Sequence, residues 1–294
     1  MQSTGFLPCR LFVQRRILDM NDLIILKSTI NIGIEKPFKF LHITDTHLSF
    51  DGERISNRWK CFAPEDNPGQ IEEYFLQALD YAKENDLFIV HTGDLIDFLS
   101  EPNYQFIDEH FNDFDYIYAA GNHDFCHFVG EAKEDYAYKW EMIKRSAPHF
   151  KSNLYFDSRV INGVNFVTLD NSYYLMTDGQ IELLKAEAAK GYPIILCMHT
   201  PFYEPNLPKG STQVAYVIAA PEEILATYPE DRRLQQTPDE ATLRAVEYIK
   251  SEPLIKALVT GHKHKNHEGA LDNGVMQYIT DGTFEGVVRE FTIL

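Results

Sequence analysis

The chain has 294 residues, enough for one large domain or two small ones with a substantial buried core. An apolar fraction of 44% with 13% aromatic residues is ordinary for a globular protein and too high for a disordered one. The formal net charge of −17 disfavours extended binding to DNA or RNA, because proteins that grip many phosphates present a basic face.

The cysteines and the apolar runs predict a cytoplasmic protein. The four cysteines are scattered without a Cys-x-x-Cys motif, which is typical of reduced thiols, and Cys197 in an apolar run is expected to be buried. No run approaches the roughly 20 apolar residues that span a bilayer. The apolar stretch 17–26 contains acidic residues and lacks a small-residue cleavage site, so we expect no signal peptide.

In chain order, the hydrophobic patterns predict alternating strands and helices. Strands are expected at 38–44, 87–92, 116–120, 194–198, 255–260, 275–280 and 287–293, with two more in 153–170 around the Asn162-Gly163 turn. Helices are expected at 71–84, 104–111, 131–145 and 178–190, and from 237 onward. Thr177 with Gln180 has the spacing of a capping box, and Thr237 is the expected cap of the last helix.

This alternation predicts an α/β fold with antiparallel strands mixed in. We expect one domain over residues 37–294, preceded by an extension over 1–36 of unknown role. The least regular region is the connection 201–236, and connections of that length are usually functional or disordered.

Polar clusters follow five of the predicted strands. They are Asp45-Thr46-His47, Gly93-Asp94, Gly121-Asn122-His123-Asp124, His199, and His262-Lys263-His264. Ligands of α/β proteins bind beyond the carboxyl ends of strands, so these loops are expected to converge. Each cluster alone has an ordinary explanation as a turn, a cap or a core histidine. Their joint occurrence at strand ends is what favours a functional site.

These ordered motifs resemble the signature of the calcineurin-like metallophosphoesterase family, from residue 38 to the C-terminus. The resemblance implies a four-layer α/β/β/α sandwich, in which two mixed β-sheets are flanked by helices. It also implies two metal sites that share Asp94. The first would be completed by Asp45, His47 and His264, and the second by Asn122, His199 and His262.

The resemblance further implies that His123 is not a ligand but stabilises the transition state and protonates the leaving oxygen. Asp124 would orient or tune its ring, with a simple turn residue as the equal alternative. Carboxylate, amide and imidazole donors without cysteine suit two divalent ions of Mn, Fe, Zn or Co, with Mn²⁺ expected in vitro. Two such ions hold a bridging hydroxide and clamp a phosphoryl group.

Several neighbouring residues are weaker candidates. The loop after the first motif carries Arg54, Asn57, Arg58 and Trp59. One of its arginines is a candidate contact to substrate phosphate, although a solvated loop charge is the simpler interpretation. Four further histidines near the motifs are expected either to support the metal ligands from behind or to be structural: His42, His91, His127 and His267. Tyr203 and Tyr216, in the connection 201–236, are candidates to line a lid over the substrate.

We therefore predict a hydrolase that acts on a small-molecule phosphomonoester or phosphodiester, including nucleotides, and no membrane partner. Purple acid phosphatases lack the histidine of the first motif and have a tyrosine three residues after the shared aspartate. This chain has His47, and Asp97 stands three residues after Asp94, so that class is disfavoured. His123 disfavours the lipid-precursor pyrophosphatases, which often have Arg there. A nuclease and a non-catalytic metal-binding scaffold of the same fold stay open as alternatives. Oligomeric state is left open.

Overall fold

The computed structural model describes residues 23–50, 57–126, 136–207 and 216–294. Its strands are β1 (Ile24–Ile30), β2 (Phe38–Ile43), β3 (Phe88–His91), β4 (Tyr116–Tyr118), β5 (Phe156–Ile161), β6 (Val164–Leu169), β7 (Ile194–Cys197), β8 (Ile255–Thr260), β9 (His267–Ala270), β10 (Met276–Ile279) and β11 (Val287–Ile293). Its α-helices are α1 (Gln70–Glu84), α2 (Glu101–Phe106), α3 (Tyr136–Ser146), α4 (Asp178–Ala188), α5 (Glu222–Leu225), α6 (Glu230–Gln236) and α7 (Glu240–Ser251).

The strands form two mixed sheets. The first has the order β1-β11-β2-β3-β4, and only the β11–β2 pair is antiparallel. The second has the order β5-β6-β7-β8-β10-β9, in which the two edge pairs, β5–β6 and β10–β9, are antiparallel. Within each sheet, neighbouring parallel strands therefore end at the same edge, where the polar clusters lie.

Residues along the central strands alternate between two hydrophobic layers, as the period of a strand requires. In β2, Phe40 belongs to the core between the sheets, whereas Leu41 packs with α1, α2 and α3 on the outer face. In β7, Ile195 faces the core between the sheets, whereas Leu196 packs with α4 and α7. Both faces of each sheet are thus covered, and the predicted four-layer α/β/β/α sandwich is confirmed.

The segment before residue 37, predicted to be an extension, contributes an edge strand to the first sheet. β1 pairs in parallel with β11, from Ile24 opposite Val287 to Ile30 opposite Ile293. Strand β9 also has no counterpart among the predicted elements. Its sequence, His-Glu-Gly-Ala, shows no alternation of apolar and polar residues, because β9 is a four-residue edge strand with no fully buried residue.

Helix boundaries differ from the prediction at two places, the start of α2 and the start of α7. Ser100 caps α2 by accepting from Asn103 N, and the helix continues as a π-helical turn over Ile107–Phe111. The predicted cap at Thr237 is wrong, because Asp239 accepts from Thr242 N and caps α7. The Thr237 hydroxyl instead donates to Arg233 O at the end of α6. Residues 131–135 of the predicted third helix lie outside the described residues, whereas the Thr177 capping box is confirmed.

The connection 201–236 has its own small core in its described part. Phe202 pairs with Ile218 in an isolated bridge, and Leu225 of α5 packs with buried Val217 and Tyr228. Within the described chain no helix is long and apolar enough to cross a membrane. Cys197 is buried, as expected, and the cysteines of the described ranges, at 61, 126 and 197, form no disulfide with one another.

Phe166 tests the contact between the sheets. Its ring lies 5.1 Å from that of Phe40 and 5.5 Å from that of Phe88, both in the opposite sheet. Phe166→Ala should lower the free energy of unfolding by about 3–5 kcal/mol, because it leaves a cavity between the sheets. Urea denaturation followed by tryptophan fluorescence measures this. The control Val160→Ala, on the exposed side of β5, should cost less than about 1 kcal/mol; an equal loss in the two variants would contradict the prediction.

Candidate metal centre

The five predicted polar clusters meet at the carboxyl ends of β2, β3, β4, β7 and β8. Three groups of three side chains lie there, each of which could hold a metal ion. Within each group, the donor atoms all lie within 4.8 Å of one another. They are Asp45–His47–His264, Asp94–His199–His262 and His47–Asp94–His123.

The first group surrounds one point between β2 and β8. His264 Nε2 lies 3.2 Å from His47 Nε2 and 3.2 Å from Asp45 Oδ1. Asp45 Oδ2 is engaged elsewhere, since it accepts hydrogen bonds from Thr44 Oγ1 and His262 N. The remaining donor atoms therefore face one another across a space suited to a cation.

The second group lies beside the first. Asp94 Oδ2 is 3.2 Å from His199 Nε2 and 3.8 Å from His47 Nε2, so this single oxygen faces both groups. His262 Nδ1 lies 2.9 Å from His199 Nε2. Asn122 Oδ1 is buried without a hydrogen-bond partner, an arrangement that costs free energy unless an ion or another donor satisfies it. The donor set thus fits divalent metal ions.

The backbone at these residues is strained. Five of the candidate ligands have left-handed φ angles, which are uncommon for residues other than Gly: Asp45 (50°), His47 (56°), Asp94 (52°), His262 (66°) and His264 (46°). Hydrogen bonds between the loops hold this conformation, including Asp45 N to Gly93 O at 3.0 Å and His47 N to Asp94 O at 2.9 Å. Such strain concentrates at functional sites.

Close packing of these loops explains the glycines in the motifs. A Cβ on Gly93 would lie 2.5 Å from Gly121 N, and Gly93 itself has a φ of +93°. A Cβ on Gly121 would overlap the Asp94 carboxylate, and one on Gly261 would overlap Thr44 Oγ1 and Asp45 Oδ2. Any side chain there would push the candidate ligands apart.

Two candidate ligands are oriented by groups behind them. His199 Nδ1 lies 2.7 Å from Thr92 O, which can only accept, so Nδ1 carries the proton and Nε2 is left to bind a metal. His262 Nε2 lies 2.9 Å from the Tyr174 hydroxyl, which turns Nδ1 toward the centre. Tyr174 is not predictable from the sequence, because no local pattern links it to a residue 88 positions away.

Asp97, rather than Asp124, contacts the ring of His123. Asp97 Oδ1 lies 2.9 Å from His123 Nδ1 and 3.3 Å from His47 Nδ1. Burial opposes ionisation of Asp97, but the neighbouring His123 and His47 rings lower its pKa. For His123, burial favours a lower pKa, but the Asp94 and Asp97 carboxylates outweigh it and raise the pKa to about 10.

Asp124 instead fastens the loops to each other. Its Oδ2 accepts hydrogen bonds from Gly121 N (2.7 Å), Asp94 N (3.0 Å) and the Tyr118 hydroxyl (2.6 Å). Burial, with the negative charge of Asp94, raises the pKa of Asp124 to about 7. These contacts agree with the alternative that Asp124 is a turn residue, and its role in orienting or tuning the His123 ring stays a prediction.

Of the secondary candidates, His42, His91 and His267 bond to other groups. His42 lies between Thr280 and Thr92, and the other two contact Thr46 and Glu204 respectively. His127 and Arg54 lie outside the described residues. Tyr203 packs against the small core of the connection, whereas the Tyr216 ring lies 5.8 Å from that of His262.

Two sheets with carboxylate, amide and imidazole donors gathered where the strands end form a candidate site for divalent metal ions. The family model of the calcineurin-like phosphoesterases matches residues 38–266, and the chain belongs to that family. It is thus a hydrolase of phosphoric ester bonds, and its donor residues fit the divalent metal ions on which such hydrolysis depends. A search of curated proteins found no significant match.

Solved structures with a similar fold include a dimetal phosphatase from Danio rerio (14% identity, 84% of this chain and 88% of that chain, TM-score 0.47). TT1561 of Thermus thermophilus has 10% identity, covers 84% and 90% of the two chains and has a TM-score of 0.45. The phosphopantetheinyl hydrolase of Mycobacterium tuberculosis has 10% identity, covers 87% and 91%, and has a TM-score of 0.40. At these values the family assignment rests on the family model.

Gly261→Ala tests the close approach of the loops. The added methyl group overlaps Asp45 and Thr44, so we expect metal affinity to fall by about 10-fold or more. Metal bound per chain, measured by mass spectrometry after dialysis against limiting Mn²⁺, gives the readout. Gly69→Ala is the control, because the nearest atom to its Cβ would be Asn67 Oδ1 at 4.0 Å. Wild-type metal content in Gly261→Ala would contradict the interpretation.

Tyr174→Phe tests the orientation of His262. Loss of the hydroxyl frees the His262 ring to rotate, and we expect affinity for one metal ion per chain to drop by about 10–100-fold. Competition with a fluorescent chelator measures the affinity. Tyr248→Phe, which removes a hydroxyl on α7 that donates to Glu252, should bind metal like the wild type. Equal affinities in both variants would show that His262 needs no such support.

Proposed function

We propose that the protein is a dinuclear metallophosphoesterase that hydrolyses a small-molecule phosphomonoester or phosphodiester, including nucleotides. The first metal would be held by Asp45, His47, Asp94 and His264. The second would be held by Asp94, Asn122, His199 and His262. The main support is Asp94 Oδ2, which faces a histidine nitrogen of each group at 3.8 and 3.2 Å.

The proposed metals are divalent ions of Mn, Fe, Zn or Co, with Mn²⁺ the first choice in vitro. When bound, such a pair would supply a hydroxide nucleophile at neutral pH and would neutralise charge on the phosphoryl oxygens. Together with Asp45, Asp94 and one hydroxide, two such ions give a net charge of about +1. A local positive charge of this kind draws phosphate into an otherwise acidic protein.

His123 is the proposed general acid. Its Nδ1 is committed to Asp97, so Nε2 is the nitrogen available to a substrate. As a water-derived oxygen bonds to phosphorus and the bond to the leaving oxygen breaks, the leaving oxygen keeps that electron pair and takes the Nε2 proton. The alcohol then departs neutral, and the ring recovers its proton from water. The side chain of His123 is 22% exposed, which is consistent with access to a substrate.

Two further expectations remain part of the proposal. A small substrate fits the strongly acidic composition, which offers little to a long polyanion. A cytoplasmic location fits the reduced thiols of the three described cysteines, at 61, 126 and 197.

The test is hydrolysis of p-nitrophenyl phosphate and bis-p-nitrophenyl phosphate in the presence of Mn²⁺. The wild type should turn over at least one of them, and the preferred one identifies a monoesterase or a diesterase. His123→Ala should lower kcat by about 10²–10⁴-fold while it keeps its metal, because only the proton donor is lost. Chelation should abolish activity and Mn²⁺ should restore it.

His149→Ala is the matched control, since this histidine pairs with Asp108 outside the metal groups. Metal-loaded wild type that hydrolyses neither ester nor a panel of nucleotides would refute the proposed activity and favour the scaffold alternative. Full activity in His123→Ala would refute the role of His123.

A further inference from the structure

Arg58 reaches the buried Asp97 carboxylate from a short 3-10 helix, Arg58–Cys61, that follows the first motif. Its Nε donates to Asp97 Oδ2 at 2.8 Å, and its Nη2 lies 3.4 Å from Asp97 Oδ1. Asp97 is fully buried and also faces His123 and His47. One carboxylate therefore binds a guanidinium, contacts the proposed general acid and lies 3.3 Å from a candidate metal ligand, His47.

The same segment covers His47 from a second side. Phe62 stacks on the His47 ring with centroids 4.0 Å apart and planes inclined by 6°. The Arg58 guanidinium lies over Phe62 in turn, 5.1 Å from the centroid of its ring. Phe62 also packs against Phe284, whose ring contacts His264. The segment thus bears on the ring of His47 and on the carboxylate behind it.

We propose that Arg58 is a positioning residue that, by holding Asp97, fixes the His123 ring with Nε2 toward the leaving oxygen. This inference rests on the proposed function of His123. A carboxylate bound by the two nitrogens of a guanidinium has a defined plane, whereas one bound only at single points can rotate about its terminal bond. Rotation of Asp97 would move Oδ1 away from His123 Nδ1, which lies 2.9 Å from it, and would leave that nitrogen only its second acceptor, Asp97 O at 3.1 Å.

The geometry separates this role from direct binding of the substrate phosphate. Arg58 directs Nε and Nη2 at Asp97, and its Nη1 lies 3.6 Å from Cys61 Sγ. A guanidinium that binds phosphate presents its fork to the ligand instead. The effect of Arg58 should therefore appear in proton donation and not in affinity for the substrate.

The experiment compares Arg58→Gln with the wild type on phenyl and p-nitrophenyl esters of the type that the enzyme hydrolyses. Phenolate is the poorer leaving group and depends more on the general acid. We expect kcat for the phenyl ester to fall by about 10–100-fold, with a smaller loss for the p-nitrophenyl ester and little change in KM. Metal content should stay near the wild-type value, whereas the melting temperature should fall, because the buried Asp97 loses its ion-pair partner.

Two further variants make the test specific. Lys60→Gln removes a cation from the same short helix that pairs with Glu65 and not with Asp97, and should leave kcat unchanged. Arg58→Lys keeps the charge but not the fork, so its kcat on the phenyl ester should lie between those of the wild type and Arg58→Gln. If Arg58→Gln does not fold, Arg58→Lys and Asp97→Asn carry the test, and both should show the larger loss on the phenyl ester.

A double-mutant comparison decides whether Arg58 acts through His123. Arg58→Gln should cost less than about 3-fold in a His123→Ala background, because the ring that it positions is already gone. A loss of the same size in both backgrounds, an equal loss on both esters, or a change confined to KM would overturn the inference. If His123→Ala alone is fully active, the proposed function fails instead, so the two failures are distinguishable.

Discussion

The arrangement of the centre depends on the contacts of the Asp94 carboxylate, because its two oxygens contact residues of different loops. Oδ2 faces His47 and His199, which come from opposite sheets, while Oδ1 accepts from His123 N at 2.8 Å. Its backbone N–H is held by Asp124. One residue thus joins the loops that follow β2, β3, β4 and β7. The distances between the donor atoms therefore depend on how the two sheets pack.

This arrangement places several carboxylates close together in the protein interior, which is electrostatically unfavourable. Asp45, Asp94, Asp97 and Asp124 are all at most 2% exposed and lie within one set of loops. Burial of unpaired carboxylates is costly, and here backbone N–H groups, histidine rings and Arg58 offset part of that cost. Divalent ions would offset much of the rest, so metal binding and stability of the folded state are linked. The left-handed backbone of five candidate ligands adds to the strain that the surrounding sheets must support.

The fold class and the location of the centre were predictable because both follow from local patterns. The runs before Asp45, Asp94 and His262 are apolar and β-prone, and polar residues follow each run at once. Edge elements escaped prediction where the local signal was weak. β1 belongs to the first sheet only because β11, at the far end of the chain, offers it a free edge. Thr237 and Asp239 are both good capping residues, and only the hydrogen bond from Thr242 N to the Asp239 side chain distinguishes them.

The sequence by itself determined which residues could be ligands, since donor chemistry is a property of residue type and its position after a strand follows from periodicity. Only the tertiary structure decided which groups support them. Asp97 and not Asp124 contacts His123, Tyr174 lies behind His262, and Arg58 points at Asp97. These contacts join loops from different strands and both sheets. No local pattern encodes the distance between two loops, because that distance is set by how the two sheets pack and how far each loop turns.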